Sequence, residues 1–132
     1  MKKILFALAA VCSLMYAQDE AALTAGMKGL GKETGMIRKA DPKTGDEVAA
    51  AAERIAAHYD ASKAFFARKG AAFEDAVKWS EEGKSIAVAG GAAAKAGDAA
   101  AAGSAFQKLS GTCKSCHEAH REKLADGSYK IK

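Results

Sequence analysis

Residues 97–121 read GDAAAAGSAFQKLSGTCKSCHEAHR. Gly97 stops whatever precedes it, Asp98 is a residue type that caps helix N-termini, and alanine, the best helix former, fills the next four positions. The pattern predicts a helix from Asp98 to about Leu124. At 100° per residue, Phe106, Leu109, Cys113, Cys116, His117, His120 and Leu124 fall within roughly 100° of arc. This helix therefore turns two cysteines and two histidines toward the same interior as its apolar residues, and it needs other helices to cover that face.

Upstream punctuation supplies three more. A first helix is predicted from Asp19 to Ile37, acidic at its start and followed by Arg38 and Lys39, both favourable to the helix dipole. Ala40-Asp41-Pro42-Lys43 is a loop. Thr44 to Glu47 has the spacing of a capping box and opens a second helix that runs to Lys69, with Gly70 as its stop. A third extends from about Ala71 to Ala96, weakened near Gly90 and Gly91. Leu23, Met27, Leu30 and Ile37 share a face of the first helix; Val48, Ala52, Ile55, Tyr59 and Phe66 share one of the second. In the third, Phe73, Val77 and Val88 form one stripe and Trp79 and Ile86 an adjacent one. Asp126-Gly127 makes a final turn. Short connections make consecutive helices antiparallel neighbours, so the fold class is all-α, an up-down-up-down four-helix bundle.

Composition agrees and adds a difficulty. Of 132 residues 33 are alanine, one is proline and three are cysteine, with a formal charge of +4. Residues 1–17 read as a secretory signal: Lys2 and Lys3, an apolar run from Ile4 to Leu14, and Ala17 at the cleavage position. Cys12 as a lipid-bearing residue is the alternative, disfavoured by the branched Val11 before it. That run is too short for a stable membrane anchor, so the expected location is periplasmic or secreted. Residues 18–132 then form one domain of 115 residues with 18 Lys+Arg against 16 Asp+Glu, a charge of +2. Only 20 of the 115 are Leu, Ile, Val, Met, Phe, Tyr or Trp. Alanine buries little area, and at about 25 cal/mol per Å² such a chain has weak means to offset its conformational entropy. It is either marginal or buries something that is not protein.

Cys113-Lys114-Ser115-Cys116-His117 is the attachment pattern for a c-type haem. Thiols three apart on a helix lie one turn apart, within reach of two vinyl groups of one porphyrin, and the next histidine is directed at the iron. Three other readings compete. A thioredoxin-like redox pair follows a strand in an α/β fold, and no convincing strand is predicted here. A disulfide would close a trivial loop. Zinc held by Cys113, Cys116, His117 and His120 would take all four ligands from two turns of one helix, which strains a tetrahedron.

The signal-like start, four helices, and Cys113-Lys114-Ser115-Cys116-His117-Glu118-Ala119-His120-Arg121 near the C-terminus together resemble the cytochrome c-prime family, the class II cytochromes c. The likeness covers the mature chain by architecture, and its specific part runs from Gly111 to Arg121. It implies an antiparallel bundle enclosing one covalently attached haem c per chain. Cys113 and Cys116 would carry the thioethers, His117 would be the proximal axial iron ligand, and Arg121 would lie beside the proximal face. It also implies that a residue of the first helix faces the iron from the other side. Met27, in Met27-Lys28-Gly29, resembles the methionine of the low-spin, electron-carrying branch, and Met/His ligation raises a haem potential. With a non-coordinating residue there, the resemblance implies a five-coordinate protein that binds or buffers nitric oxide or other small gases. Met36 lies off the stripe, His58 flanks its helix's main stripe as a boundary residue, and His120 shares the side of His117. His120 and the compact Lys69-Gly70-Ala71 junction depart from the family pattern.

The function expected from these residues is one-electron transfer with unidentified redox partner proteins. A haem-free metal-binding helical protein is the alternative of another class. No acid–base pair, activated nucleophile or phosphate-binding loop indicates an enzyme. Interleaved basic and acidic residues argue against nucleic acid. The family's homodimers, through surfaces of the first two helices, find no strongly apolar exposed stripe to support them here. Short alanine side chains let helices close around a flat porphyrin that supplies the missing apolar bulk. The haem-free chain should accordingly melt without cooperativity, and differential scanning calorimetry of apo and holo protein measures this; closely matching transitions would refute it.

Overall fold

The computed structural model describes the backbone from Lys2 and the side chains from Asp19 onward; residues 1–17, expected to be a signal, and Cys12 among them lie outside the side chains described. Helix α1 spans Lys2–Lys39, α2 Asp46–Lys69, α3 Glu74–Lys95 and α4 Ala99–His120. A single 3-10 turn, Ala71–Phe73, leads into α3, and two short strands, β1 Arg121–Lys123 and β2 Tyr129–Ile131, end the chain. The four-helix architecture expected from the periodicity is present.

Ion pairs and ring contacts establish the antiparallel order. Asp19 and Glu20 of α1 meet Arg68 and Lys69 at the far end of α2, while Glu33 meets Arg54. Asp60 and Lys63 of α2 meet Lys84 and Glu81 of α3. Asp75, at the start of α3, meets His120 at the end of α4. Exposed pairs of this kind contribute little stability, but they report register well.

The core itself is thin. Leu30, Ile37, Val48, Ile55, Tyr59 and Leu109 form its main cluster, and Phe65, Phe66 and Ala76 a second one nearer the chain end. Among the described residues only Ile37 and Ile55 are large side chains with essentially no exposure. Fully burying such a side chain contributes about 1.5–3 kcal/mol, so this core leans on many small contacts.

Helix α3 departs from the expected pattern. Its buried positions are Ala76, Ser80, Gly83, Ala87, Gly90 and Ala94, whereas Val88 is 55% exposed and Phe73, Val77, Trp79 and Ile86 are half-buried. The face that enters the core is the one with the smallest side chains, because close approach there gains more than burying Val88 would. A Cβ at Gly83 would overlap the Tyr59 ring. One at Gly90 would lie 2.6 Å from Phe106 and one at Gly91 2.9 Å from Ala52. These glycines are holes into which α2 and α4 place their side chains.

Helix ends show both agreement and correction. Gly70 and Gly97 follow α2 and α3 as expected, and Asp98 Oδ1 accepts from the Ala101 amide at 2.9 Å. The capping box fails: α2 begins after Gly45, without a side-chain cap. Gly45, at φ +96°, turns its amide onto the Ala94 carbonyl at 3.0 Å, a conformation a β-carbon disfavours. Thr44 is thereby displaced from the capping position.

The last helix is also shorter than its periodicity predicts. It stops at His120, and Leu124 lies in the turn between two antiparallel strands that pair Arg121 with Ile131 and Lys123 with Tyr129. The Lys132 amide donates to the His120 carbonyl at 3.1 Å, so the returning chain takes over a group the helix end leaves free. Ile131 packs against the second core cluster, reaching it from outside α4.

Gly83→Ala should lower stability by about 1–3 kcal/mol through overpacking against Tyr59. Gly35→Ala, where nothing lies within 4 Å of the new carbon, should raise it by about 0.5–1 kcal/mol. Urea denaturation of the two variants against the parent tests the contrast, and equal midpoints would contradict it.

Candidate functional site

Helices α1 and α4 close the ring of four only loosely, and a cleft of about 470 Å³ opens between them. Met27 and Leu30 of α1 line one wall, and Cys113, Cys116 and His117 of α4 the other. Tyr59, Phe66 and Trp79, from α2 and α3, form the floor. Arg121, Tyr129 and Ile131 of the terminal hairpin close one end. A second cavity of about 580 Å³ lies farther along the same helices and shares Thr34 and Cys113 with the first. Both volumes fall in the range of ligand pockets.

All five residues singled out in the sequence (Met27, Cys113, Cys116, His117 and Arg121) border this one cleft. Helical spacing explains the α4 group: Cys113, Cys116 and His117 share the stripe that also buries Leu109. Met27 arrives from α1, about one turn before the buried Leu30. Met36 packs against the main core and His58 borders neither cavity. The His58 ring rests over Gly29, where a β-carbon would come within 2.6 Å of it. That contact keeps His58 between α1 and α2.

The electrostatics separate the two elements of the motif. Burial lowers the affinity of His117 for a proton, and the Arg121 charge lowers it further. Its ring is thereby kept neutral, the form that binds metals. The Arg121 guanidinium stacks 4.1 Å from the centre of the Tyr129 ring. Both cysteines are unbridged and half-buried. Burial pushes the Cys116 thiol up to about 11, with Asp75 and Cys113 adding to the effect. A reactive redox pair requires the opposite shift.

His120 also borders the cleft, but its Nε2 is taken up by α3. Its Nε2 lies 2.6 Å from Asp75 Oδ1, and its ring centre 4.8 Å from that of Phe73, with Phe66 and Trp79 at 6.2 Å. It pins the start of α3 to the end of α4. Among the described residues no three of His, Cys, Asp and Glu converge where a metal ion could be held. The four-ligand set of the zinc reading is therefore not assembled.

Of the two hydroxyls that meet near Cys113, Tyr59 was legible only as a core position and Thr112 not at all. Tyr129 and Ile131 belong to a hairpin whose sole sequence signal is the Asp126-Gly127 turn. Compared with protein families, curated proteins and solved structures, the chain gives no match.

The His120–Asp75 contact makes a pH-dependent prediction. Hydrogen bonding to His120 holds the Asp75 carboxyl below its ordinary range. A depressed carboxylate adds stability that is complete above the unfolded-state value, about 3.9, and is lost as pH falls through the folded one. Asp75→Ala should therefore lower the urea midpoint at pH 7, and the gap should narrow only in acid below that range. A gap independent of pH down to full protonation would contradict the assignment.

Proposed function

We propose that this chain is an exported, periplasmic or secreted, monohaem c-type cytochrome that carries single electrons. One observation carries the reading: a thiol pair one helical turn apart, the adjacent imidazole and a thioether from the opposite helix all border one largely apolar cleft. The donor types fit a haem c, two sulfurs for covalent links and one nitrogen and one sulfur for the iron. Phe66, Trp79, Leu23 and Leu30 provide apolar walls for a porphyrin. When bound, haem iron cycles between its ferric and ferrous states and supplies the redox chemistry.

The chain's own residues would hold and tune that group. Cys113 and Cys116 would anchor it, His117 would bind the iron proximally, and Met27 would approach from α1. Arg121 lies close enough to His117 to bias its protonation, and stacked on Tyr129 it would cover the His117 side of a bound haem. Tyr59, Phe66 and Trp79 would shield one side of a bound porphyrin from water, which would favour electron transfer over reaction with solvent. The chain would act without chemistry on a substrate, passing electrons between redox proteins. No helix among the described residues is long and apolar enough to cross a membrane.

A pyridine haemochrome assay on denatured protein should show covalently retained haem in the parent and none in a Cys113→Ala, Cys116→Ala double variant. The ferric parent should show the weak far-red sulfur-to-iron band. Met27→Ala should abolish that band and lower the midpoint potential by on the order of 100 mV, within the ~0.8 V span that axial ligands command. Absence of covalent haem would end the proposal. A high-spin ferric spectrum in the parent would replace electron transfer by five-coordinate binding of nitric oxide or another small gas.

A further inference from the structure

Beneath the cleft, two buried hydroxyls and the half-buried Cys113 thiol form a chain that the haem motif does not explain. Tyr59 Oη, on α2, lies 3.2 Å from Thr112 Oγ1 and 3.4 Å from Cys113 Sγ, both on α4. Tyr59 and Thr112 are 6% and 5% exposed, so neither relies on water. The Thr112 hydroxyl donates its only hydrogen to the Leu109 carbonyl at 2.9 Å.

A proton count then fixes the direction of every bond. Thr112 has given its hydrogen to Leu109, so toward Tyr59 it can only accept, and the Tyr59 hydroxyl donates to it. Tyr59 has one hydrogen and has now used it, so toward Cys113 its oxygen accepts and the thiol donates. The order is Cys113 S–H to Tyr59 O–H to Thr112 O–H to the Leu109 carbonyl. Burial raises the Tyr59 phenol far above its ordinary ionisation range, so the hydroxyl stays intact. Gly83 completes the device from a third helix, because the Tyr59 ring occupies the place its side chain would take.

We infer that Tyr59 is a positioning residue for covalent haem attachment, holding the Cys113 sulfur in place at the edge of the cleft. Cys116 has no such hydroxyl partner among the described hydrogen bonds. The two thiols of the motif are therefore inequivalent, and Cys113 depends on α2 for its aim. This inference rests on the haem reading above. In attachment, the S–H bond adds across a vinyl double bond, sulfur to one carbon and hydrogen to the other, with no net change in electron count. Once that hydrogen has gone to carbon the sulfur can no longer donate. The contact therefore acts before and during bond formation, and the finished thioether is held by its own covalent link.

Tyr59→Phe isolates the effect. The ring still fills the space at Gly83, Thr112 still donates to Leu109, and only the hydroxyl is lost. Exported parent and variant would be digested after alkylation, and the haem peptide weighed. The fraction of chains joined through Cys116 alone, with Cys113 alkylated, should rise roughly fivefold, the population factor of one ordinary hydrogen bond. The haemochrome α-band should move to longer wavelength as one vinyl survives. Thr112→Ser, which keeps the hydroxyl, should retain the parental ratio. An unchanged ratio in Tyr59→Phe, with two thioethers in the parent, would overturn the inference and leave the haem reading standing, even if the variant melts earlier. A parent without covalent haem would remove both.

Discussion

A Cβ atom at Gly83 would overlap the Tyr59 ring, and one at Gly90 or Gly91 would press on Phe106 or Ala52. Helix α3 thus sits closer to α2 and α4 than any larger residues would allow, and the remaining architecture follows from that approach. Interiors are close-packed, so a helix whose inner face is alanine, serine and glycine must draw its neighbours in or leave voids. The two sides that α3 shares with α2 and α4 close in this way. The side between α1 and α4 does not, and the cleft lies there.

The same packing explains why the cleft has the floor it has. Tyr59 can reach Cys113 only because Gly83 yields its space, and its hydroxyl then meets Thr112 and the thiol. Trp79 and Phe66 reach the floor from helices brought together by small residues. At the open end the hairpin supplies Ile131 and Tyr129, replacing the helical turn that Leu124 would have provided. A core with only two large side chains fully enclosed among the described residues would gain stability from a flat apolar group bound in such a space. The composition and the cleft therefore make the same demand on the function proposed above.

Legibility differed from element to element. The stripe Val48, Ala52, Ile55, Tyr59 and Phe66 is buried throughout, since large apolar residues at helical spacing leave one solution. In α3 the same logic chose Val88, and the helix turned the other way. Periodicity weighs the size of apolar side chains, whereas this face is selected by how near a neighbour can come. Thr44 and Glu47 had the right spacing to cap α2, but Gly45 and its bond to the Ala94 carbonyl decided the start. The end of α4 likewise depended on Lys132 and Ile131, more than ten residues from His120, which no local pattern weighs.

The sequence by itself determined the four helices, their order, and the turn of α4 that carries Cys113, Cys116 and His117 on one inward stripe. Those features are local, governed by propensity, breakers and a 3.6-residue period. Tertiary structure alone decided that Met27 would face the same cleft, that His58 would rest on Gly29, and that His120 would go to Asp75. It also placed Tyr59 beneath Cys113. Each depends on which small residue permits which close approach between segments far apart in the chain, and that is a property of packing in three dimensions.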